Sequence, residues 1–440
     1  MFLYWFLRLE IKNWSLSVRW KTMPVKFFQN QYFSCINCGK CCGGWDVPVT
    51  QGEKDKIEKL NIPGHAPREK RYFIKSGKIP GIYLIGKKGN HCVFLDSDNL
   101  CLIHKHHGEK AKPLACRTYP FDIFNWQDDV TTASLRYDCP AVASQDGRGI
   151  SASAHEINSI AGELGRERKS ATAEYSGKLK TSLKNIRIVA DAYRNFILDP
   201  GFRPSIRIFA AAKLLEFHSR PENSSDITEA ADFFSRDAAE LVKRSVPALE
   251  NIISEAGPPN FHQKMVFRYI LSGFMRSDEE NALKFRPAAR LSRVKSILKF
   301  SLGSGSLDKI SGKLPDTSCS DPMESVRGME WDENAFAPYW NYLGSKLDSL
   351  HFCGYPCLNL SFEEGMRHLL MTYPALAYLS ALLAKSDKRK HIRGKDVAEA
   401  LSLIDHTFSR SPFFAIRHVR RMTRSLCSEN TLAPILKPLP

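Results

Sequence analysis

The sequence has no long hydrophobic run. Its most apolar opening stretch, residues 1–7, is far short of the ~20 residues a membrane span needs, and Arg8, Glu10 and Lys12 interrupt it. A transmembrane helix and a secretory signal are therefore not expected, and a cytoplasmic chain is. Trp5, Trp14 and Trp20 alternate with Arg8, Lys12, Arg19 and Lys21. Residues 1–30 thus read either as an interfacial amphipathic helix or as an extension ahead of a start at Met23. The chain also lacks internal repeats and blocks of one charge. Its net charge of +16 is spread, with 21 basic against 13 acidic residues over 1–145. Without basic stripes interleaved with aromatics there is no nucleic-acid signal, although an acidic partner surface is favoured. Cysteine is scarce over most of the chain, since only four of its twelve lie after residue 140. A disulfide scaffold is excluded by that bias, and 440 residues with 43% hydrophobic content do not need one.

What is present is a local concentration of thiols. The stretch FSCINCGKCCGG puts Cys35, Cys38, Cys41 and Cys42 within eight positions, and Cys92, Cys101, Cys116 and Cys139 follow. In a reducing compartment such cysteines make poor disulfides but good thiolate ligands, because a tight turn with two-residue spacing lets sulfurs converge on one soft ion. Three cysteines at this spacing plus a remote Cys139-Pro140 follow the bacterial ferredoxin pattern and favour an iron-sulfur cluster, with 4Fe-4S as the form. Zinc stays open as the alternative. Cys42 has no ferredoxin counterpart and is assigned to a second centre with some of Cys92, Cys101 and Cys116, since eight thiols fill two four-coordinate sites.

These residues carry a resemblance. CINCGKCC, HCVFLDSDNLCLIH, KPLACRTYPF and YDCPAV resemble the CxxCxxCC family of zinc- or iron-chelating proteins. In order they are similar to its flagellin lysine-N-methylase (FliB-like) branch. The likeness is specific over about 33–142 and weaker in YWNYLGSKLDSLHF and ALSLIDHTFSRSP. It implies a metal or iron-sulfur centre and, in that branch, transfer of methyl groups from S-adenosylmethionine to lysines of flagellin.

The rest of the chain reads as helix. Residues 31–142 form an irregular module with brief strands at GIYLIG and HCVFLD, and 143–177 form a polar linker with one short helix. From 178 the period changes. Leu179, Leu183, Ile186, Val189, Tyr193 and Phe196 share one helical face, and further helices are expected near 204–218, 226–253, 261–275 and 281–299. A second linker, 301–332, precedes helices near 334–350, 362–384, 394–409 and 412–426. The expected fold is mainly α: a small cysteine-rich metal-binding module, then an all-α domain over 178–300 and 333–430.

Several other residues invite a chemical reading. Arg117 either donates to the anionic sulfurs or is a surface arginine, and Tyr119-Pro120 fixes a turn. His104, His106 and His107 in HKHHGEK read more simply as a polar loop than as ligands. Cys353 and Cys357 are only half a metal site, and Asp405 and His406 point about 100° apart on a helix and do not pair. The only glycine-rich candidate for a cosubstrate loop, LGSGS at 302–306, follows a helical rather than a strand pattern and reads as a linker. Catalytic residues and a cosubstrate site are therefore not assigned. A non-enzymatic, metal-stapled binding module is the alternative to the methylase.

Overall fold

The computed structural model describes residues 25–43, 46–63, 72–77, 79–89, 91–126, 130–164, 172–176, 179–219, 227–275, 287–304, 314 and 322–440. The readings of residues 1–24 lie outside these. The described residues fall into two compact units, one taking in 25–142 and 146–164, the other 143–145 and those from 172 onward. Among the described residues no helix is long and apolar enough to cross a membrane. The fold is mainly α, with a small cysteine-rich unit ahead of a helical one.

The first unit consists of short strands and short helices. The strands are β1 (Val25–Lys26), β2 (Tyr32–Phe33), β3 (Pro48–Thr50), β4 (Phe73–Lys75), β5 (Ile82–Ile85), β6 (Lys87–Lys88), β7 (His91–Cys92), β8 (Phe121–Asn125), β9 (Thr131–Leu135) and β10 (Arg148–Gly149). They form two three-stranded sheets, β3-β5-β4 and β1-β9-β8, and the pairs β6-β7 and β10-β2. The helices are α1 (Gln51–Glu58), α2 (Leu102–His107), α3 (Leu114–Thr118), α4 (Pro140–Ala143) and α5 (Ala154–Leu164). One hydrophobic cluster of this unit consists of Val47, Val49, Ile57, Ile62, Tyr72, Phe73, Ile85, Phe94, Ile103 and Ala115, with Cys92, Cys101 and Cys116 packed on its edge, while Phe121, Ile123, Leu135, Ile157 and Ile160 are buried elsewhere in it. Three of the thiols therefore sit where apolar packing ends.

In the second unit a hairpin, β11 (Thr172–Ser176) and β12 (Leu179–Ser182), precedes α6 (Leu183–Ile197). Helical spacing alone includes Leu179 in α6, but the Ser182 hydroxyl accepts the Asn185 N–H at 3.2 Å, and that cap sets the first helical turn at Leu183. The helices α7 (Pro204–His218), α8 (Ile227–Arg236), α9 (Ala238–Glu255), α10 (Phe261–Met275), α11 (Pro287–Ser301), α12 (Pro322–Val326), α13 (Ala337–Ser349), α14 (Phe362–Ser386), α15 (Gly394–Phe408), α16 (Arg417–Leu426) and α17 (Glu429–Leu436) follow. The expected helix near 226–253 is interrupted at Asp237, between α8 and α9. The centre is α14, buried on all sides over most of its length, as an all-round apolar helix must be. Its start is fixed by a capping box between Ser361 and Glu364. Gly365 lets α14 approach the Phe352 carbonyl closer than any Cβ would allow.

Two neutral histidines are packed into this unit. His218 lies 4.4 Å from the Phe234 ring, and burial lowers its pKa to about 4. His368 lies edge-on to Phe414, and burial, then Arg420 and Arg367, lowers it to about 3. Both folded values lie below the usual ~6.5, so the unfolded chain binds more protons between them. Stability is expected to be full above pH 6.5 and to fall as the pH drops towards 4 and below. Urea titrations at pH 7 and pH 4.5 would show this, and His368→Phe should flatten the dependence. An unchanged slope in that variant would count against it.

The second unit draws its core from periodic apolar faces rather than from ligands. A fragment of residues 172–440 is therefore expected to fold in the presence of chelator, with a helical circular dichroism spectrum and a cooperative melt. A disordered spectrum would contradict the division.

Candidate metal centre

The thiols are brought together by local devices that differ from one segment to the next. Cys35 and Cys38 lie on an exposed loop, where Asn37 (φ 52°) and Gly39 (φ 67°) take left-handed conformations. The Cys35 Sγ donates to Asn37 Oδ1 at 3.4 Å. Gly39 is required twice, for its φ and because a Cβ there would meet Asn99 Oδ1 at 2.9 Å. The chain then turns through the short 3₁₀ helix Lys40–Cys42, and Gly43 pairs with His91. That pairing places Cys41 and Cys42 beside β7 and Cys92.

A second device joins Cys92 to Cys101. Asp96 Oδ1 accepts the N–H groups of Asp98 and Leu100 at 2.9 and 2.8 Å, and Oδ2 meets Lys105 Nζ at 3.0 Å. The resulting turn pairs Leu95 with Cys101. A third device holds Cys116. Glu53 closes the capping box of α1 with Thr50, and its other oxygen accepts the Leu114 N–H at 2.8 Å at the start of α3. One carboxylate therefore fixes the helix that carries Cys116.

All eight are free thiols. Cys41 and Cys42 have their sulfurs 4.0 Å apart. The hydrogen bond from Cys42 lowers the Cys41 thiol, and the same bond, with burial, raises Cys42. Burial pushes Cys92 up to about 12, opposed by the Phe94 N–H that its sulfur accepts at 3.4 Å. Cys116 is raised by burial and by the charges of Cys92, Cys101 and Cys41. Cys42 is raised further by Cys41, Cys92 and Cys116. Cys41, Cys42, Cys92, Cys101 and Cys116 thus lie within electrostatic reach of one another. Cys139 is buried, which raises its pKa, and its carbonyl oxygen accepts the Val142 N–H at 3.1 Å.

Among the described residues no three His, Cys, Asp or Glu side chains already form a group that could hold a metal ion. The donors nonetheless fit a soft cation in their chemistry. Several thiols gather in one desolvated region, and the Cys92 sulfur accepts the Phe94 N–H in the manner of a metal thiolate. Uptake must draw them closer and displace their protons.

The other candidates are placed elsewhere. His104, His106 and His107 stand on exposed α2 rather than in a loop, because Gly108 (φ 78°) ends a full helical turn behind Cys101. The ring of His107 meets the Asn61 carbonyl at 2.9 Å. Arg117 makes a two-pronged ion pair with Glu163 on α5. Tyr119-Pro120 forms the expected turn, and sequence spacing did not suggest the Arg136 guanidinium over the Tyr119 ring, 4.9 Å from its centroid. Nor did any sequence signal point to the double role of Glu53. In the second unit Cys353 and Cys357 are buried, and Asp405 pairs with Lys346.

Residues 34–140 match the family model CxxCxxCC, "Putative zinc- or iron-chelating domain". The match supports metal binding by the first unit. An uncharacterized protein of Methanocaldococcus jannaschii is 27% identical over 126 residues, which are 27% of this chain and 41% of that protein. The flagellar biosynthetic protein FliU of Salmonella muenchen is 26% identical over 129 residues, 26% of this chain and 70% of that protein. The chain therefore spans less than half the length of the archaeal relative. No solved structure matches.

Proposed function

We propose that the first unit holds zinc or an iron-sulfur cluster on thiolates drawn from Cys35, Cys38, Cys41, Cys42, Cys92, Cys101, Cys116 and Cys139. The observation that carries this reading is the gathering of thiols from separate segments, with the Cys41 and Cys42 sulfurs 4.0 Å apart and the Gly43–His91 pairing setting them beside Cys92. Bound metal would neutralise the thiolates and tie the separate segments into one unit.

Beyond the metal, we propose a protein-lysine N-methylase that takes its methyl group from S-adenosylmethionine. Two observations support it: the similarity to a flagellar biosynthetic protein and the motif order quoted above. The net charge of +16 suits capture of an acidic protein substrate. The second reading, a metal-stapled binding module, is favoured by residues 302–304. They follow helix α11, and Gly303 closes its end against the Arg268 guanidinium, which is not a phosphate-binding turn after a strand.

The metal-replete chain, incubated with S-adenosylmethionine and flagellin, is expected to add 14-dalton increments to that protein, read by intact mass, the step for each amine hydrogen replaced by methyl. Unchanged masses, together with no heat of S-adenosylmethionine binding at millimolar ligand, would favour the binding module.

A further inference from the structure

We propose that the outer face of α11 is a docking surface for an acidic amphipathic helix of a partner protein, an assignment independent of the metal centre and of the methylase reading. Leu291, Val294, Leu298 and Leu302 are each more than half exposed, from 53% to 73%. On a helix these positions fall within about 80° of one another and form a single stripe roughly 16 Å long. The Leu302 N–H donates to the Leu298 carbonyl at 3.0 Å, which carries the stripe through the last turn. Phe300, on the opposite side, is buried, and α11 packs against α10. A helix packed on one side needs polar residues on the other, and this one presents an aliphatic row instead.

Charge beside the stripe selects the occupant. From Pro287 to Leu302 the sequence carries Arg290, Arg293, Lys295 and Lys299 and no acidic residue. Lys295 and Lys299 are exposed and one turn apart, along one flank of the stripe. Their complement is an aliphatic row edged on one side by carboxylates, which is a face of an amphipathic helix. Spacings of three and four residues are also those of the ridges by which two helices interlock. A lipid surface fits less well, because interfacial helices bring Trp or Phe to the boundary and the exposed row here is wholly aliphatic. A second copy of α11 would set lysines against lysines. Residues 1–24 are the wrong sign too, since Arg8, Lys12, Arg19 and Lys21 outnumber Glu10.

The test titrates the full chain into a labelled synthetic peptide of about 18 residues, long enough to hold a helix, with leucines on one face and glutamates along one edge. A peptide with lysine in place of each glutamate is the comparison, and fluorescence anisotropy reads both. The glutamate peptide is expected to bind at least roughly 10-fold more tightly and to lose that advantage in high salt. Leu298→Ser, at an exposed position, should weaken it by roughly 10-fold and leave the melting temperature unchanged. The double variant Lys295→Glu, Lys299→Glu should reverse the preference in favour of the lysine peptide, a gain that only a folded chain can show. Equal affinity for the two peptides, or no binding of either, would overturn the inference. So would binding to phosphatidylserine vesicles in place of the glutamate peptide, or a concentration-dependent dimer that Leu298→Ser abolishes.

Discussion

Cys41→Ser is expected to lower metal affinity at least 100-fold and to unfold the first unit in the presence of a competing chelator. The structure gives two reasons. The hydrogen bond from Cys42 holds the Cys41 thiol below its ordinary pKa, and Cys41 is within reach of Cys42, Cys92 and Cys116. Cys92, Cys101 and Cys116 come from separate segments and pack only on the edge of a hydrophobic cluster, so metal-binding energy is also folding energy. Metal content by mass spectrometry and the far-ultraviolet spectrum with and without chelator would measure both effects. Cys427→Ser serves as the control. That residue is buried in the second unit, its sulfur 3.7 Å from the Arg367 carbonyl, and should leave metal content unchanged. Equal loss in both variants would contradict a local site. Because burial holds Cys92, Cys116 and Cys139 protonated, uptake should release protons, and affinity should weaken as the pH falls.

Asp405→Ala is expected to cost about 3–5 kcal/mol in the second unit, the usual cost of removing one partner of a buried ion pair. Lys346 Nζ lies 2.9 Å from Asp405 Oδ1, and both side chains are fully buried. The ammonium also lies 5.2 Å from the Tyr342 ring, and Arg410 Nη1 donates to the Asp405 carbonyl at 2.7 Å. Removing the carboxylate leaves a cation where water cannot reach it. The double variant Lys346→Met, Asp405→Leu removes both charges and should recover most of the loss. Urea unfolding of the metal-replete chain, followed by helical circular dichroism, would measure this. A single-variant loss below about 1 kcal/mol, or no recovery in the double variant, would show that the pair is not energetically coupled.

The comparison of α10 with the thiol segments shows why parts of this protein are legible in sequence and others are not. The helix expected at 261–275 is α10, Phe261–Met275, and α15 and α14 also fall close to their expected spans. A helical face repeats with the chain's own period, so packing can be read one residue at a time. The eight cysteines stood out for a similar reason, since thiol identity and close spacing are local facts. What the thiols do to one another was decided by contacts without a period: Gly43 with His91, Leu95 with Cys101, and Glu53 with Leu114. The histidines behind Cys101 show the same limit, because their polar sequence reads as loop while Gly108 closes a helix around them. Asp405 is the clearest instance. Sequence placed it on a helix and excluded His406 as its partner, but only the packing of α13 against α15 brought Lys346 to it. A buried charge is stable only beside its counter-charge, and that pairing spans 59 residues of chain with no local signal to announce it.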